Sequence, residues 1–521
     1  MKTRTLSLIL AVVMVLSVIV FVVSCGPGSP TTTTASEKTE TTEVTTKTEV
    51  TTVKETEVVT TEEQTTEEET TILTGYEKLP GFENIDFGGK TFLIASHLDS
   101  DPDWANAADF WVEGITNDAI NDAVYDRNRV MQSLYNCKIE VDDGGWDNGY
   151  NASVASGDGK YIAGSANSRS VVNLSKTGNY YNLLKLNVDW TQSWWDQNYI
   201  MDTSTDGKLF SIVGDFALHA MSATWIMFYN KDVYESKFSE TDIYQLVRDK
   251  KWTMDVMADM ISRIKNDANG DSEYTFSEGA DADTVGMMTT AHNDRGLFFA
   301  AGLRYVTKTE NTVNGSFVSA LTNQENASDV MDKLIQLCTM EGYISGGYTN
   351  VQTAIQNGTT LFAGEVLDVL RRMSGAENLR VGVLPQPLLS EAQQSYHCYV
   401  NDKASVLVIP TAYADMSVIS DFLTLFGYHS QMIVRKAYIN TYKYTYASDE
   451  DSAEMVDIIL NSRIYDAGYI DGFSTGMDGY VSTIINNRKN NYTKAAASFA
   501  TKDQAAIDEY RAALESIDDN Y

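Results

Sequence analysis

The stretch that most constrains this chain runs from Gly214 to Tyr234 and reads GDFALHAMSATWIMFYNKDVY. Its centre, residues 225–229, is an apolar and aromatic run that contains Trp225, and turn residues follow it. An apolar run of this length between turn residues predicts a strand that is buried on both faces. Such strands belong to sheets that are covered by helices, so the run favours an α/β fold.

A second pattern, near the start of the folded part, supports the same fold class. Residues 91–95 and 137–141 are predicted strands, and residues 117–134 between them carry apolar positions at helical spacing. A strand, a helix and a strand at this spacing form a βαβ unit of a parallel sheet. Ligands bind beyond the carboxyl ends of such strands, which selects the loops that contain Trp104 and Trp146.

The N-terminus has the features of an export signal. Lys2 and Arg4 precede the apolar residues 6–23, and residues 22–25 (Val-Val-Ser-Cys) resemble a lipobox with Cys25 as the acylated residue. We therefore expect residues 1–24 to be a lipoprotein signal peptide. Residues 25–73 are rich in Thr and Glu, a composition that predicts a disordered tether rather than a packed domain.

Composition and motifs exclude several function classes. A formal net charge of −33 argues against nucleic acid as a partner. The sequence contains no HExxH, GxSxG or P-loop motif and no Cys/His pairs at zinc spacing. We therefore expect a protein that is not an enzyme and requires no cofactor. Paired-carboxylate enzymes leave no local motif, however, so a glycoside hydrolase that uses Asp196 and Glu365 stays open.

One loop matches part of a calcium-binding pattern. Residues 267–278 read DANGDSEYTFSE, and Ser272 stands where the pattern has its turn glycine. The residues at the first, third, fifth and twelfth positions are Asp267, Asn269, Asp271 and Glu278. The loop is either a structural calcium site or a solvated turn built on Asp and Asn side chains.

Several segments, taken in order, resemble one protein family. They are residues 121–141 (NDAVYDRNRVMQSLYNCKIEV), residues 229–232 (Tyr-Asn-Lys-Asp), residues 251–253 (Lys-Trp-Thr) and the strand 380–387. Together, across most of residues 80–520, the chain is similar to extracellular solute-binding proteins (family 1-like) of bacterial ABC importers, carbohydrate type. The resemblance implies an α/β, two-lobe, periplasmic-binding-protein-like (type II) fold with a hinge and a ligand cleft between the lobes.

The resemblance also implies how the chain divides. Lobe 1 would comprise residues 74–213 and 390–434, and lobe 2 would comprise residues 214–389 and 435–521. The protein would be a monomer, anchored by lipid on the extracellular face of the cell membrane, that delivers its ligand to the permease subunits of a transporter. A cell-surface module that binds no small ligand is a further alternative.

The implied ligand is a sugar or an oligosaccharide. Tryptophan rings stack on the apolar faces of pyranose rings, and Asp, Glu, Asn and Arg bond to hydroxyl groups. Two adjacent tryptophans at a strand end are expected not to face one core, which favours Trp194 and Trp195 as ligand contacts. The full set of predicted ligand-binding residues is Trp104, Trp146, Asn167, Arg169, Trp194, Trp195, Asp196, Trp225, Arg295 and Glu365.

Overall fold

A computed structural model describes residues 75–96, 109–279, 281–373, 380–442 and 450–517, without the side chains of residues 147 and 148. All of these residues belong to the unit from Glu69 to Tyr521. The predicted signal peptide, Cys25, the tether and Trp104 lie outside the described residues. No helix in the described part of the chain is both long and apolar enough to cross a membrane.

The described residues form α-helices, β-strands and short π and 3-10 turns. The strands are β1 Lys90–Ser96, β2 Cys137–Asp143, β3 Ala163–Asn167, β4 Trp225–Asn230, β5 Val285–Thr290, β6 Val306–Lys308, β7 Phe317–Ser319, β8 Tyr343–Gly346, β9 Thr360–Val366, β10 Val381–Leu384, β11 Cys398–Tyr399, β12 Ser405–Val408 and β13 Arg463–Ile464. The α-helices are α1 Ala119–Tyr135, α2 Asn151–Ser156, α3 Ser168–Ser175, α4 Gln197–Thr203, α5 Leu218–Ser222, α6 Lys231–Phe238, α7 Ile243–Arg248, α8 Met254–Arg263, α9 Ala291–Ala300, α10 Ala327–Cys338, α11 Tyr348–Gln356, α12 Val369–Met373, α13 Met416–His429, α14 Lys436–Thr441, α15 Glu450–Asn461, α16 Ala467–Ile470, α17 Thr475–Asn486 and α18 Tyr492–Ser516.

The first sheet has the order β12-β3-β1-β2. Strands β1, β2 and β3 are parallel, whereas β12 runs antiparallel to β3. Helix α1 links β1 to β2, and Asp118 begins it by accepting the backbone N–H groups of Ile120 and Asn121. The predicted βαβ unit is therefore confirmed.

The second sheet has the order β10-β4-β9-β5-β8. All six residues of β4 are buried, which confirms the strand predicted at residues 225–229. Strand β4 runs antiparallel to β10 and β9, while β5 runs parallel to β9 and β8. Beyond β4, Thr253 caps helix α8 as its Lys-Trp-Thr motif predicts, and Trp252 is buried beside it.

The chain passes from the first sheet to the second and back. Residues 212–224 make the first passage. Ile212 forms a β-bridge with Leu407 of β12 in the first sheet, and Thr224 directly precedes β4 in the second sheet. Residues 385–404 return from β10 to β12. Helix α14 packs against α1 of the first lobe, and α15 packs against β10. The predicted lobe boundary at residue 435 stays a prediction.

Candidate functional site

One edge of the second sheet collects several strand ends. Strands β5, β8 and β9 finish there with Thr290, Gly346 and Val366, and the antiparallel β4 begins there at Trp225. The register places Trp225 opposite Val366 and Thr290 opposite Gly346. Because these ends share one edge, the residues that directly follow them lie close together.

Four rings meet at this edge, and we call Trp225, His292, Tyr348 and Tyr399 the aromatic cluster. Trp225 lies parallel to Tyr399, with 5.6 Å between ring centroids and 4° between the planes, and 6.1 Å from His292. Tyr348 lies 5.8 Å from His292 and 6.4 Å from Trp225. Trp225 is 1% exposed and Tyr348 is 45% exposed, so Tyr348 is the ring that a ligand can reach.

A glycine permits the packing of the Tyr399 ring of this cluster. The Tyr399 hydroxyl donates to the His292 carbonyl over 2.7 Å, which brings the Tyr399 ring against helix α9 at Gly296. A Cβ atom at position 296 would overlap the Tyr399 ring, so only glycine permits this packing.

A half-buried charged group contacts the cluster. Arg295 hydrogen-bonds to His292 and lies 3.5 Å from the carboxylate of Asp478. Burial, assisted by the positive charge of Arg295, lowers the pKa of His292 to about 4. His292 is therefore neutral at neutral pH, and Arg295 and Asp478 balance each other.

The first lobe reaches the same place through the residues that follow β3. Arg169 pairs with Asp402 at 2.9 Å and donates to the Tyr469 carbonyl over 3.3 Å. The Tyr469 ring lies 5.7 Å from Tyr399 of the aromatic cluster. Asn167 ends β3 two residues before Arg169 and is half-buried. Residues of both lobes thus border one site.

Glu365 is the unusual carboxyl of the site. It is 2% exposed; its Oε1 accepts the backbone N–H of Val366 over 2.9 Å, and its Oε2 has no hydrogen-bond partner among the described residues. Burial raises the pKa of Glu365 to about 7. A buried carboxyl oxygen without a partner is costly, and a ligand hydroxyl would satisfy it.

Comparison with solved structures identifies the architecture. A cyclic alpha-maltosyl-1,6-maltose binding protein from Arthrobacter globiformis matches with a TM-score of 0.54 and 11% identity, over 80% of this chain and 99% of that one. A cyclo/maltodextrin-binding protein complexed with maltotetraose matches with a TM-score of 0.52 and 12% identity, over 80% and 97%. The fold is that of the two-lobed solute-binding proteins. This confirms the predicted fold class.

A third structure agrees, while sequence comparison finds nothing. An ABC substrate-binding protein from Listeria monocytogenes in complex with cycloalternan matches with a TM-score of 0.50 and 12% identity, over 80% of this chain and 99% of that one. No protein-family model matches the chain, and no curated protein matches it by sequence. The comparison that supports the solute-binding fold is therefore one of structure and not of sequence.

The solute-binding fold places two predicted tryptophans in one core. Trp194 and Trp195 are both buried, and the expectation that they cannot face one core is wrong. Trp194 lies in a turn, so the alternation of side chains along a strand does not apply to the pair. Gly427 of α13 leaves room for both rings, which a Cβ atom there would meet. Trp146 is likewise buried, 4.7 Å from Tyr150.

The contacts of Asp196 are with residues outside the aromatic cluster. Its Oδ1 accepts the backbone N–H of Tyr199 over 3.1 Å. Its Oδ2 accepts the Tyr465 hydroxyl over 2.7 Å and pairs with Arg463 at 2.8 Å. Both oxygens are therefore occupied within the protein, which leaves no free carboxylate for the hydrolase pair of Asp196 and Glu365.

The structure adds residues that the sequence analysis missed. Tyr348, Tyr399, Asp402 and Tyr469 border the site beside His292, although none of these four was predicted there. A signal existed for Tyr348, because it follows a Gly-Gly pair at the carboxyl end of a strand, where ligands bind in this class of sheet. The other three come from segments without such a pair.

In the predicted calcium loop, the carboxylate of Asp267 accepts hydrogen bonds from backbone N–H groups of the same loop. Asp267 accepts the N–H groups of Gly270, Asp271 and Ser272 at 2.6–3.2 Å. Among the described residues, no group of three or more His, Cys, Asp or Glu side chains is placed to hold a metal ion. Calcium at Asp267, Asn269, Asp271 and Glu278 stays a prediction. Adding calcium to chelator-treated protein should raise its melting temperature if the loop binds the ion, and leave it unchanged otherwise.

We predict a pH effect from Glu365. The folded-state pKa near 7 lies above the usual value of 4.5, so between these values the folded state keeps a proton that the unfolded state has lost. Stability conferred by that proton is present at low pH and is lost as the pH rises toward 8. Glu365→Gln should therefore lose less stability than the wild type between pH 5 and pH 8 in urea denaturation.

Comparing the wild type with Glu365→Gln separates the effect of Glu365 on stability from the effects of other titratable groups. Burial also raises the pKa of Asp202 and Asp294 to about 6 and that of Asp466 to about 7, and these groups titrate in both proteins. The charged or titratable groups around Glu365 are Tyr348, Asp368 and Arg372. If the stability of the wild type and that of the variant changed equally with pH, the prediction would be wrong.

Proposed function

We propose that this protein is the solute-binding component of an ABC importer and captures a sugar or an oligosaccharide between its two lobes. The observation that carries the proposal is the exposed Tyr348 ring, which lies beside His292 and the buried Trp225 of the aromatic cluster, where residues of both lobes meet. Solved proteins with this fold include ones described as bound to maltotetraose and to cycloalternan. The protein is proposed to bind its ligand without converting it.

The chemistry of the site favours a neutral polyhydroxyl ligand. An exposed tyrosine ring offers a flat apolar surface to the face of a pyranose. Four charged side chains at the site form two pairs, Arg169 with Asp402 and Arg295 with Asp478. Because these pairs balance their own charge, they present hydrogen-bonding groups without adding a net field that would select an ion.

Binding to a panel of sugars tests this proposal. We would titrate the folded domain calorimetrically with neutral gluco-, xylo- and manno-oligosaccharides of one to four rings, and follow intrinsic tryptophan fluorescence in parallel. We expect saturable binding of at least one series and a change in emission, because Trp225 lies 6.4 Å from Tyr348. An absence of binding across the panel, with the domain folded, would refute a sugar-binding role.

The anchor and the partner are further parts of the proposal. We propose that Cys25 is acylated after removal of residues 1–24, so that the protein is held on the outer face of the membrane beside its permease. Cys25→Ala should move the protein from the detergent fraction to the soluble or secreted fraction. Because Cys25 is far in sequence from the residues of the candidate site, the sugar affinity of the variant should stay unchanged. Retention of the variant in the membrane would contradict acylation at this residue.

A further inference from the structure

A turn of the first lobe is held by elements of the second lobe. The turn comprises residues 205–208, and its Asp206 and Gly207 have φ angles of 51° and 71°. An Asp-Gly pair favours this left-handed, two-residue hairpin turn. Just beyond it, Ile212 forms its β-bridge with Leu407 of β12, which ties the turn to the first sheet.

The hairpin of β6 and β7 contacts this turn from the second lobe. Asp206 donates its backbone N–H to the carbonyl of Gly315 over 3.3 Å, and the hydroxyl of Ser316 donates to the Asp206 carboxylate. The hydroxyl of Thr205 accepts the N–H of Phe317 over 3.1 Å. Strand β7 packs against helix α18, and α18 packs against α10, which contacts β8 of the second sheet. The hairpin therefore belongs to the second lobe.

Helix α18 adds an ion pair to the turn. Arg511 donates from Nε and Nη2 to the two carboxylate oxygens of Asp206, over 2.7 and 3.0 Å. A guanidinium that bonds to both oxygens fixes the relative orientation of the two side chains as well as attracting the charge. The preceding residue, Tyr510, has its hydroxyl 3.1 Å from that of Ser175 on helix α3 of the first lobe. We call residues 205–208, with their partners on the β6–β7 hairpin and Arg511, the clasp.

The clasp joins the two lobes outside two segments that carry the chain between them. Those segments are residues 212–224 and 385–404. A rotation of one lobe about these segments would stretch or break the bonds of the clasp. The clasp therefore stabilises the arrangement seen here, in which Arg169 of the first lobe and Tyr348 of the second lobe border one site.

We propose that the clasp holds the two lobes in the arrangement that binds the ligand, and that Asp206 and Arg511 are positioning residues for this arrangement. The inference rests on the proposed function and goes beyond it, because it assigns part of the affinity to residues that do not border the candidate site. Apparent affinity is proportional to the fraction of protein in the binding-competent arrangement. Loss of the clasp should therefore weaken the binding of every sugar by the same factor, whatever its length.

Two variants weaken the clasp, and a third serves as a matched control. Arg511→Met removes the guanidinium and keeps an apolar stem, while Asp206→Asn removes the charge and keeps a residue that tolerates a left-handed backbone. Arg380 bonds to both carboxylate oxygens of Glu235 within the second lobe, over 2.9 and 2.7 Å, so Arg380→Met removes a similar pair that joins no lobes. These side chains are all partly exposed, so the three melting temperatures should stay close to that of the wild type.

The distance between two spin labels reports the arrangement of the lobes without any sugar. Labels would be attached at Lys138→Cys on β2 and at Ser236→Cys on α6, two exposed positions, in the Cys25→Ala protein. The other three cysteines are buried and should not react. Pulsed electron paramagnetic resonance should give the same distance distribution for the labelled parent and Arg380→Met. For Arg511→Met and Asp206→Asn we expect a broader distribution with an added component.

Affinity for the sugar panel is the second measurement. Arg511→Met and Asp206→Asn should each bind about two- to fivefold more weakly than the wild type, by the same factor for one ring and for four, and Arg380→Met should bind normally. Parent-like distance distributions in both clasp variants would overturn the proposal, whether or not a sugar binds. A changed distribution with unchanged affinity for a sugar that the wild type binds would overturn it as well. Failure of every sugar to bind the wild type would instead refute the sugar-binding role, and the distances would then decide whether the clasp holds the lobes.

Discussion

Replacing Asp196 by alanine is expected to lower the free energy of unfolding by about 3–5 kcal/mol. Asp196 pairs with Arg463 at 2.8 Å, and each side chain is only 5% exposed. Removal of the carboxylate would leave the guanidinium buried without its counter-charge, which costs more than the pair itself contributes. The variant would also lose the N-cap of helix α4, which Asp196 makes at the N–H of Tyr199.

Urea denaturation of the variant, with a nearby surface carboxylate as control, measures this effect. Asp189 hydrogen-bonds to Thr191 and Gln192 in an exposed turn, and Asp189→Ala should leave the midpoint nearly unchanged. Sugar affinity, measured under conditions where both variants are folded, should match that of the wild type. A stable Asp196→Ala protein with lost affinity would restore Asp196 to the ligand site.

The role of Asp196 illustrates what a local reading of the sequence misses. Asp196 follows two tryptophans and precedes a predicted passage between the lobes, a setting that favours a ligand contact. Its decisive partners, however, lie on the segment that carries Arg463 and Tyr465, and Tyr465 is 269 residues away along the chain. No periodicity or motif near Asp196 indicates a buried cation so distant in sequence.

Strands, helices and helix caps that are determined by residues close in sequence were predicted correctly. Strand β4 and helix α1 follow from patterns of apolar residues, and the cap at Thr253 follows from its position before an apolar run. The prediction that Trp194 and Trp195 do not face one core was wrong, because it assumed a regular strand where the chain turns. Burial of a ring depends on which helix packs over it, and here that helix is α13 with Gly427.

The site was predicted in part. Trp225, Arg295 and Glu365 from the second lobe and Asn167 and Arg169 from the first lie around it, each near a strand end. The rule that ligands bind at the carboxyl ends of strands accounts for the placement of Asn167, Arg169, Arg295 and Glu365, whereas Trp225 lies at the start of its strand. The rule does not state which ring remains accessible, and the structure assigns that position to Tyr348 instead of a tryptophan.

Trp225→Ala is accordingly expected to act on stability, by about 3–5 kcal/mol, because it removes a large buried ring from the core. The ring is 1% exposed and lies parallel to Tyr399 and His292, so its deletion leaves a cavity between the sheet and helix α9. Tyr348→Ala should behave in the opposite way. It should weaken sugar binding by about 1–3 kcal/mol, the scale of a lost stacking surface, with little change in the melting temperature.

The two substitutions together distinguish a supporting ring from a contacting ring. Tyr348→Phe keeps the aromatic surface and should retain most of the affinity, whereas a hydroxyl contact would make it resemble Tyr348→Ala. Trp225→Phe should recover part of the lost stability, since a smaller ring still fills some of the cavity. If Trp225→Ala is stable yet binds no sugar, while Tyr348→Ala binds normally, then the ligand stacks on Trp225. In that case the present packing of Trp225 against Tyr399 and His292 would have to open when the ligand enters, because these rings now lie parallel to it.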